Sequence, residues 1–255
     1  MEILNHFKRE DQNGIIIYRL KENEVNNFLS KLISDFRVCY ITNEDLESKC
    51  KKNVLTSKQF LEKYIIPDKG NIKSGDFGEI LSHFLVIESH RKKGIILTGP
   101  LKWQWKENKN KAMPYTDSLM FSIADSDNYS GNDLIVTIES KMKATNSSLH
   151  RIQEAIDGAA LDKLSRMSKT LIWLEEKYAR LGDKENRKKI ERFKDPATHG
   201  SYQKTHKAIT LLDCDFENGE LNKTYSNPEN LVVIVFSLKN LKKIYEKTFF
   251  DIINS

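Results

Sequence analysis

Apolar positions along the chain switch between two periods, and each switch marks a boundary. Residues 76–90 put Phe77, Ile80, Leu81, Phe84, Leu85 and Ile87 at three- and four-residue steps, which predicts a helix with a wide apolar face. A second stripe, Leu164, Met167, Leu171, Leu174, Tyr178 and Leu181, predicts a helix from about Asp162 that Gly182 ends. Shorter helices are predicted over 23–34, 147–160 and 239–253, and over 58–66, with Ser57 as cap and Pro67 as stop. Residues 184–194 read as a strongly basic helix or loop.

Compact apolar runs predict strands at 14–20, 36–42, 94–98, 117–123, 133–141, 208–213 and 231–237. Between 117–123 and 133–141 lie turn formers, Asp125 to Asp133, so these two strands are expected to pair antiparallel across a longish loop. Together the elements predict an α/β (or α+β) protein with a mixed central sheet flanked by helices. The first seventy residues hold no chemical motif. The expected division is therefore an N-terminal α/β segment at 1–70, available for docking a partner, and a main domain at 71–255.

Composition narrows the classes. Charged residues are 30% and hydrophobic ones 39%, which fits a globular protein with a heavily charged surface. The net charge of +5 permits nucleic-acid binding without requiring it, because 36 acidic residues offset 41 basic ones. Cys39, Cys50 and Cys214 are odd in number and form no C-x-x-C pair, so free thiols in a reducing compartment are expected instead of a disulfide framework or a zinc site. No basic-then-apolar leader and no run of eighteen apolar residues is present, so a cytoplasmic protein without a membrane span is expected.

The chemistry concentrates at the hairpin. Asp117 opens one strand, and Glu139-Ser140-Lys141 closes the other. Side chains two apart on a strand share a face, so Glu139 and Lys141 stand side by side. Phosphodiester hydrolysis needs charge offset on the phosphoryl oxygens and an activated water, and a divalent cation on carboxylates supplies both. Asp117 and Glu139 are candidate ligands for Mg²⁺, with Mn²⁺ as a substitute, and the Ser140 carbonyl is a third oxygen. Lys141 would stabilise a hydroxide or a phosphate oxygen. Glu79, on the 76–90 helix, could support the metal. Gln153, Lys102 and Lys111 could orient water or meet the substrate, and Arg187, Lys188 and Lys189 of the basic segment could track phosphates.

Plainer roles compete. Taken alone, Glu139 and Lys141 favour an exposed ion pair. Asp76 and Glu79 have the spacing of a capping box at a helix start. Asp133, a rival for Asp117, reads better as a turn residue. His83, His90, His150, His199 and His206 show no metal-ligand spacing, and Trp103 and Trp105 suit packing as well as base stacking.

In order and type, Gly78-Glu79, Asp117 and Glu139-Ser140-Lys141 resemble the PD-(D/E)xK nuclease superfamily. The chain resembles in particular the DUF1837-type small subunit of the Hachiman anti-phage defence system, from about residue 70 onward and more weakly before it. That resemblance implies a restriction-endonuclease-like fold, a DNA endonuclease giving 5′-phosphate ends, and a large helicase subunit as partner in a heterodimer. The helicase would restrain the nuclease until foreign DNA is sensed. A non-catalytic helicase-binding module with a degenerate site is the first alternative, and a simple nucleic-acid binder the second.

Overall fold

The computed structural model describes residues 2–194 and 201–254, so His199 lies outside the described residues. Six strands form one mixed sheet in the order β1-β2-β6-β5-β4-β3. They are β1 (Phe7–Gln12), β2 (Ile15–Leu20), β3 (Ser118–Ser122), β4 (Leu134–Lys143), β5 (Gln203–Asp213) and β6 (Val232–Leu238). The two end pairs, β1 with β2 and β3 with β4, are antiparallel. The middle pairings are parallel, and β6 lies between β2 and β5. Residues 7–20 thus belong to the same sheet as the strands that carry the candidate chemistry.

Helices cover both faces. The chain supplies α1 (Val25–Tyr40), α2 (Asn43–Asn53), α3 (Ser57–Phe60), α4 (Gly70–Arg91), α5 (Arg151–Leu161), α6 (Met167–Leu181), α7 (Lys184–Lys194), α8 (Cys214–Leu221) and α9 (Leu241–Asn254). On one face, Phe28 and Phe36 of α1, Phe77 and Leu81 of α4, and Phe249 of α9 bury the even-numbered β4 residues Leu134, Val136 and Ile138. On the other, Ile152, Ala155 and Ile156 of α5 pack on Ala208, Val233 and Val235, while α6 and α7 cover Leu119, Phe121 and Ile135. Alternate β4 residues therefore serve different layers, as a two-residue period demands. No described helix is long and apolar enough to cross a membrane.

Several expectations need correction. Residues 36–42 are not a strand: α1 runs on to Tyr40, because Phe28, Leu32, Phe36, Cys39 and Tyr40 recur at helical steps and are buried on one face. The run 94–98 makes only an isolated bridge, Thr98 with Phe121. There Gly99 comes so close to the sheet that a Cβ would stand 2.5 Å from the Leu119 carbonyl oxygen. Thr56, not Ser57, caps α3, in a capping box with Gln59. The 76–90 helix begins six residues earlier than expected, at Gly70. β1, α2 and α8 were not anticipated.

Candidate active site

The β3–β4 pair ends at Ser118 opposite Ile138, and β4 continues to Lys143 beyond it. The sheet forks there, and the candidate groups gather at the fork. Asp117 Oδ2 accepts the Ser140 N–H at 2.8 Å. Solvent reaches part of Asp117, yet protein packs densely round its carboxyl group. That burial, with the nearby Glu79 and Glu139 carboxylates, holds the Asp117 carboxyl well above its ordinary range.

Two glycines let helices close on β4 from opposite faces. A Cβ on Gly78 of α4 would sit 3.3 Å from Ser140 Oγ, which meets Ser82 Oγ at 3.0 Å. A Cβ on Gly158 of α5 would collide with Glu139, 2.4 Å from its Cδ and 2.6 Å from its Oε1. Glu220 of α8 fixes the start of α5, since its Oε2 accepts the Arg151 N–H at 2.8 Å.

Glu139 is 3% exposed, and each of its oxygens meets a cation. Lys141 Nζ lies 2.5 Å from Oε1, and the Arg166 guanidinium holds Oε2. Arg166 also donates to the Gly158 carbonyl at 2.7 Å and pairs through Nε with Asp162 at 2.5 Å. The Asp162–Arg166 turn between α5 and α6 is π-helical, a local widening common at functional sites. Burial lowers the Lys141 ammonium pKa, but the Glu139 carboxylate outweighs it, and the net shift is upward.

Glu79 lies on the α4 side of the fork. Its Oε2 accepts the Trp103 indole N–H at 3.2 Å and lies 3.5 Å from Lys102 Nζ, which also donates to the Thr116 carbonyl at 2.9 Å. Since α4 starts at Gly70, Glu79 is interior to the helix and does not cap it. One turn earlier, Asp76 Oδ2 accepts from Tyr40 Oη at 2.7 Å, and Lys106 Nζ donates to Oδ2 at 2.5 Å and to Oδ1 at 2.7 Å. Burial pushes the Asp76 carboxyl up to about 6 against the pull of Lys106.

The fork therefore gathers Asp117, Glu139, Ser140, Lys141, Glu79 and Lys102. It does not gather the rest. Gln153 is engaged by Asp157 and by the backbone of Ser226. Arg187 pairs with Glu175 and Glu191, and Lys189 with Glu185. Lys188 and Lys189 border a cavity with Ile123 and Tyr129, at the opposite end of the β3–β4 pair. Lys111 is exposed beside a separate cleft. Asp133 is a turn residue, accepting the Ala124 N–H at 2.9 Å, as expected. His83 is buried and held neutral, its pKa pulled down to about 4 by burial and then by Lys102, and it bonds Ser118 Oγ at 2.7 Å.

The fork's candidate ligand atoms are all oxygen, from carboxylates near enough for Glu79 and Glu139 to act on Asp117, and an oxygen set suits a hard divalent ion. Among the described residues, the trio of ligand atoms lying within 4.8 Å of one another is elsewhere, at Asp213, Cys214 and Asp215. Asp213 there accepts the Asp215 and Leu241 N–H groups at 3.3 and 2.8 Å, which is helix capping. Asp117, Glu79 and Glu139 are spread more widely. Arg166, Asp162 and Gly158 escaped the sequence reading; the one available signal was an arginine on the helices after the Glu-x-Lys strand.

Fold and fork define an α/β protein with a mixed six-stranded sheet and a carboxylate–lysine cluster at a strand fork. The family model described as HamA matches residues 2–253, so the chain belongs to the HamA family (DUF1837), a subunit of the Hachiman anti-phage defence system. A comparison with curated proteins gives no match.

Proposed function

We propose that this chain is the Mg²⁺-dependent DNA endonuclease of its defence complex, paired with and restrained by the system's helicase subunit. The observation that carries the proposal is the buried, partly solvent-reached Asp117 carboxyl, hydrogen-bonded to the Ser140 N–H between Glu139 and Lys141. Asp117 and Glu139 would hold the metal, with the Ser140 carbonyl and Glu79 as further oxygens. The ion supplies Lewis acidity and an activated water when bound. Lys141, its pKa raised beside Glu139, stays protonated near neutral pH. It acts as a cation toward a phosphate oxygen or hydroxide, not as a proton acceptor. Arg166 and Gly158 fix the Glu139 carboxylate from the α5 side.

Two observations favour the non-catalytic alternative: both Glu139 oxygens are engaged by cations, and the three carboxylates are spread. Plasmid cleavage separates the two readings. The full chain is assayed with Mg²⁺, Mn²⁺ or EDTA, alone and with helicase, ATP and DNA ends, beside Glu139→Ala/Lys141→Ala. Metal-dependent cleavage lost in the folded double variant supports the nuclease. Undiminished cleavage by that variant sinks the site, and none under any condition leaves the regulatory module.

A further inference from the structure

Next to the fork lies a second feature that the proposed chemistry does not use. A cleft of about 300 Å³ is bordered by Trp105, Lys111, Met113, Pro114, Trp173 and Lys177. Trp105 and Trp173 meet edge to face, with centroids 5.7 Å apart and planes at 62°, so the two rings do not stack on each other. Trp105 is braced by Tyr178 at 5.6 Å. Both tryptophans remain partly exposed. By contrast Trp103 is buried and bound to Glu79.

Cations outnumber the single carboxylate, Glu107, in the lining of this cleft. Lys177 Nζ lies 5.5 Å from the Trp105 centroid. Lys111 is exposed, and no described carboxylate forms a salt bridge with Lys111 or Lys177. Tyr115, exposed and 6.2 Å from Trp173, has φ +67, a left-handed backbone that costs a non-glycine residue energy and recurs at functional sites. The cleft is tied to the fork through the chain itself. Pro114 is three residues from Asp117, a reach of at most ~10 Å. Between them Thr116 is locked to Asp162 and to Thr170, each at 2.8 Å. One helix, α6, thus carries Thr170 toward the fork and Trp173 into the cleft.

Partly exposed indoles, with lysine ammoniums beside them that no described carboxylate pairs, suit one ligand chemistry: a planar base stacked on a ring, with its phosphate near a lysine. We propose that this cleft holds an unpaired nucleotide of a single DNA strand whose backbone passes Asp117. The choice of DNA rests on the nuclease reading; the aromatic and basic lining does not.

Binding tests this without cleavage. The full chain carrying Glu139→Ala/Lys141→Ala, in EDTA, is titrated with short oligothymidylate while tryptophan emission is followed. Parallel arms use oligouridylate, duplex DNA and the helicase subunit. Oligothymidylate should quench the emission and bind more tightly than duplex. Trp173→Leu should weaken binding about five- to 150-fold. Lys111→Glu/Lys177→Glu, which leaves the rings in place, should weaken it about tenfold or more and flatten its salt dependence. Absent quenching, or unchanged affinity in both variants, overturns the proposal. So does tighter binding of oligouridylate, or loss of helicase binding with oligothymidylate binding intact. Failure here with cleavage by the parent chain retained leaves the nuclease standing, whereas quenching without any cleavage by the parent refutes the nuclease alone.

Discussion

Gly158→Ala tests the geometry of the fork directly. The added Cβ would stand 2.4 Å from Glu139 Cδ, 2.5 Å from Cγ and 2.6 Å from Oε1. Glu139 cannot simply swing aside, because Lys141 and Arg166 hold its two oxygens. Two effects oppose each other. Alanine is favoured over glycine inside a helix by about 1 kcal/mol. Overpacking costs about 1–3 kcal/mol. In the parent protein the sum is about 0–2 kcal/mol of destabilisation. With Glu139→Ala already present, the collision is gone, and the same change should stabilise by about 1 kcal/mol. The difference between backgrounds is the coupling, about 1–3 kcal/mol. Urea unfolding of the four metal-free proteins measures it, and melting should follow at roughly 2–4 °C per kcal/mol. An equal effect of Gly158→Ala in both backgrounds would refute the glycine's role as the space that Glu139 occupies.

Asp117→Asn keeps the acceptor for the Ser140 N–H but removes a crowded charge. The metal-free variant should gain about 1 kcal/mol. It should also lose the stabilisation by Mg²⁺, about 2.7 kcal/mol at a hundred times the dissociation constant, and a melting shift retained in the variant would remove Asp117 from the site. Arg166→Ala should weaken Mn²⁺ binding about 10–100-fold in calorimetry by freeing Glu139; unchanged affinity would make Arg166 merely structural. Asp76 has its folded pKa raised to about 6. Between about pH 4 and 6 the folded state then holds more protons than the unfolded chain, and this group's contribution to stability falls as pH rises, by up to about 3 kcal/mol. Unfolding across that window should be less pH-dependent in Asp76→Asn, and identical slopes would contradict the burial of the carboxylate.

Elements with strong periodic apolar patterns were legible: α4, α6 with its Gly182 stop, and the β3–β4 pair. So was the placement of Asp117, Glu139 and Lys141 together, because a two-residue period on β4 and its antiparallel pairing with β3 leave few alternatives. β1 escaped because five of its six residues lie outside the core and its run of charges hides the strand; the Asn13-Gly14 pair behind it, with φ +49 and +78, was the hairpin signal. The 36–42 segment misled because Phe, Val and Tyr favour strands, although their spacing continued a helix. Arg166 and Gly158 were illegible for a different reason. Their roles arise only when α5 folds back over β4, and no local pattern encodes a contact between Arg166 and Glu139, 27 residues apart.

The position of β6 bears on when, during synthesis, the sheet can be completed. β6 is the last of the described strands in chain order, yet it lies inside the sheet, between β2 and β5. A nascent chain that has not yet delivered Val232–Leu238 holds two partial sheets with bare facing edges, joined to a β3–β4 fork without its full support. Parallel pairing across such sequence separation forms slowly and late. Chain order thus ties full support of the fork to the delivery of β6: a product truncated before Val232 is expected to lack a continuous sheet.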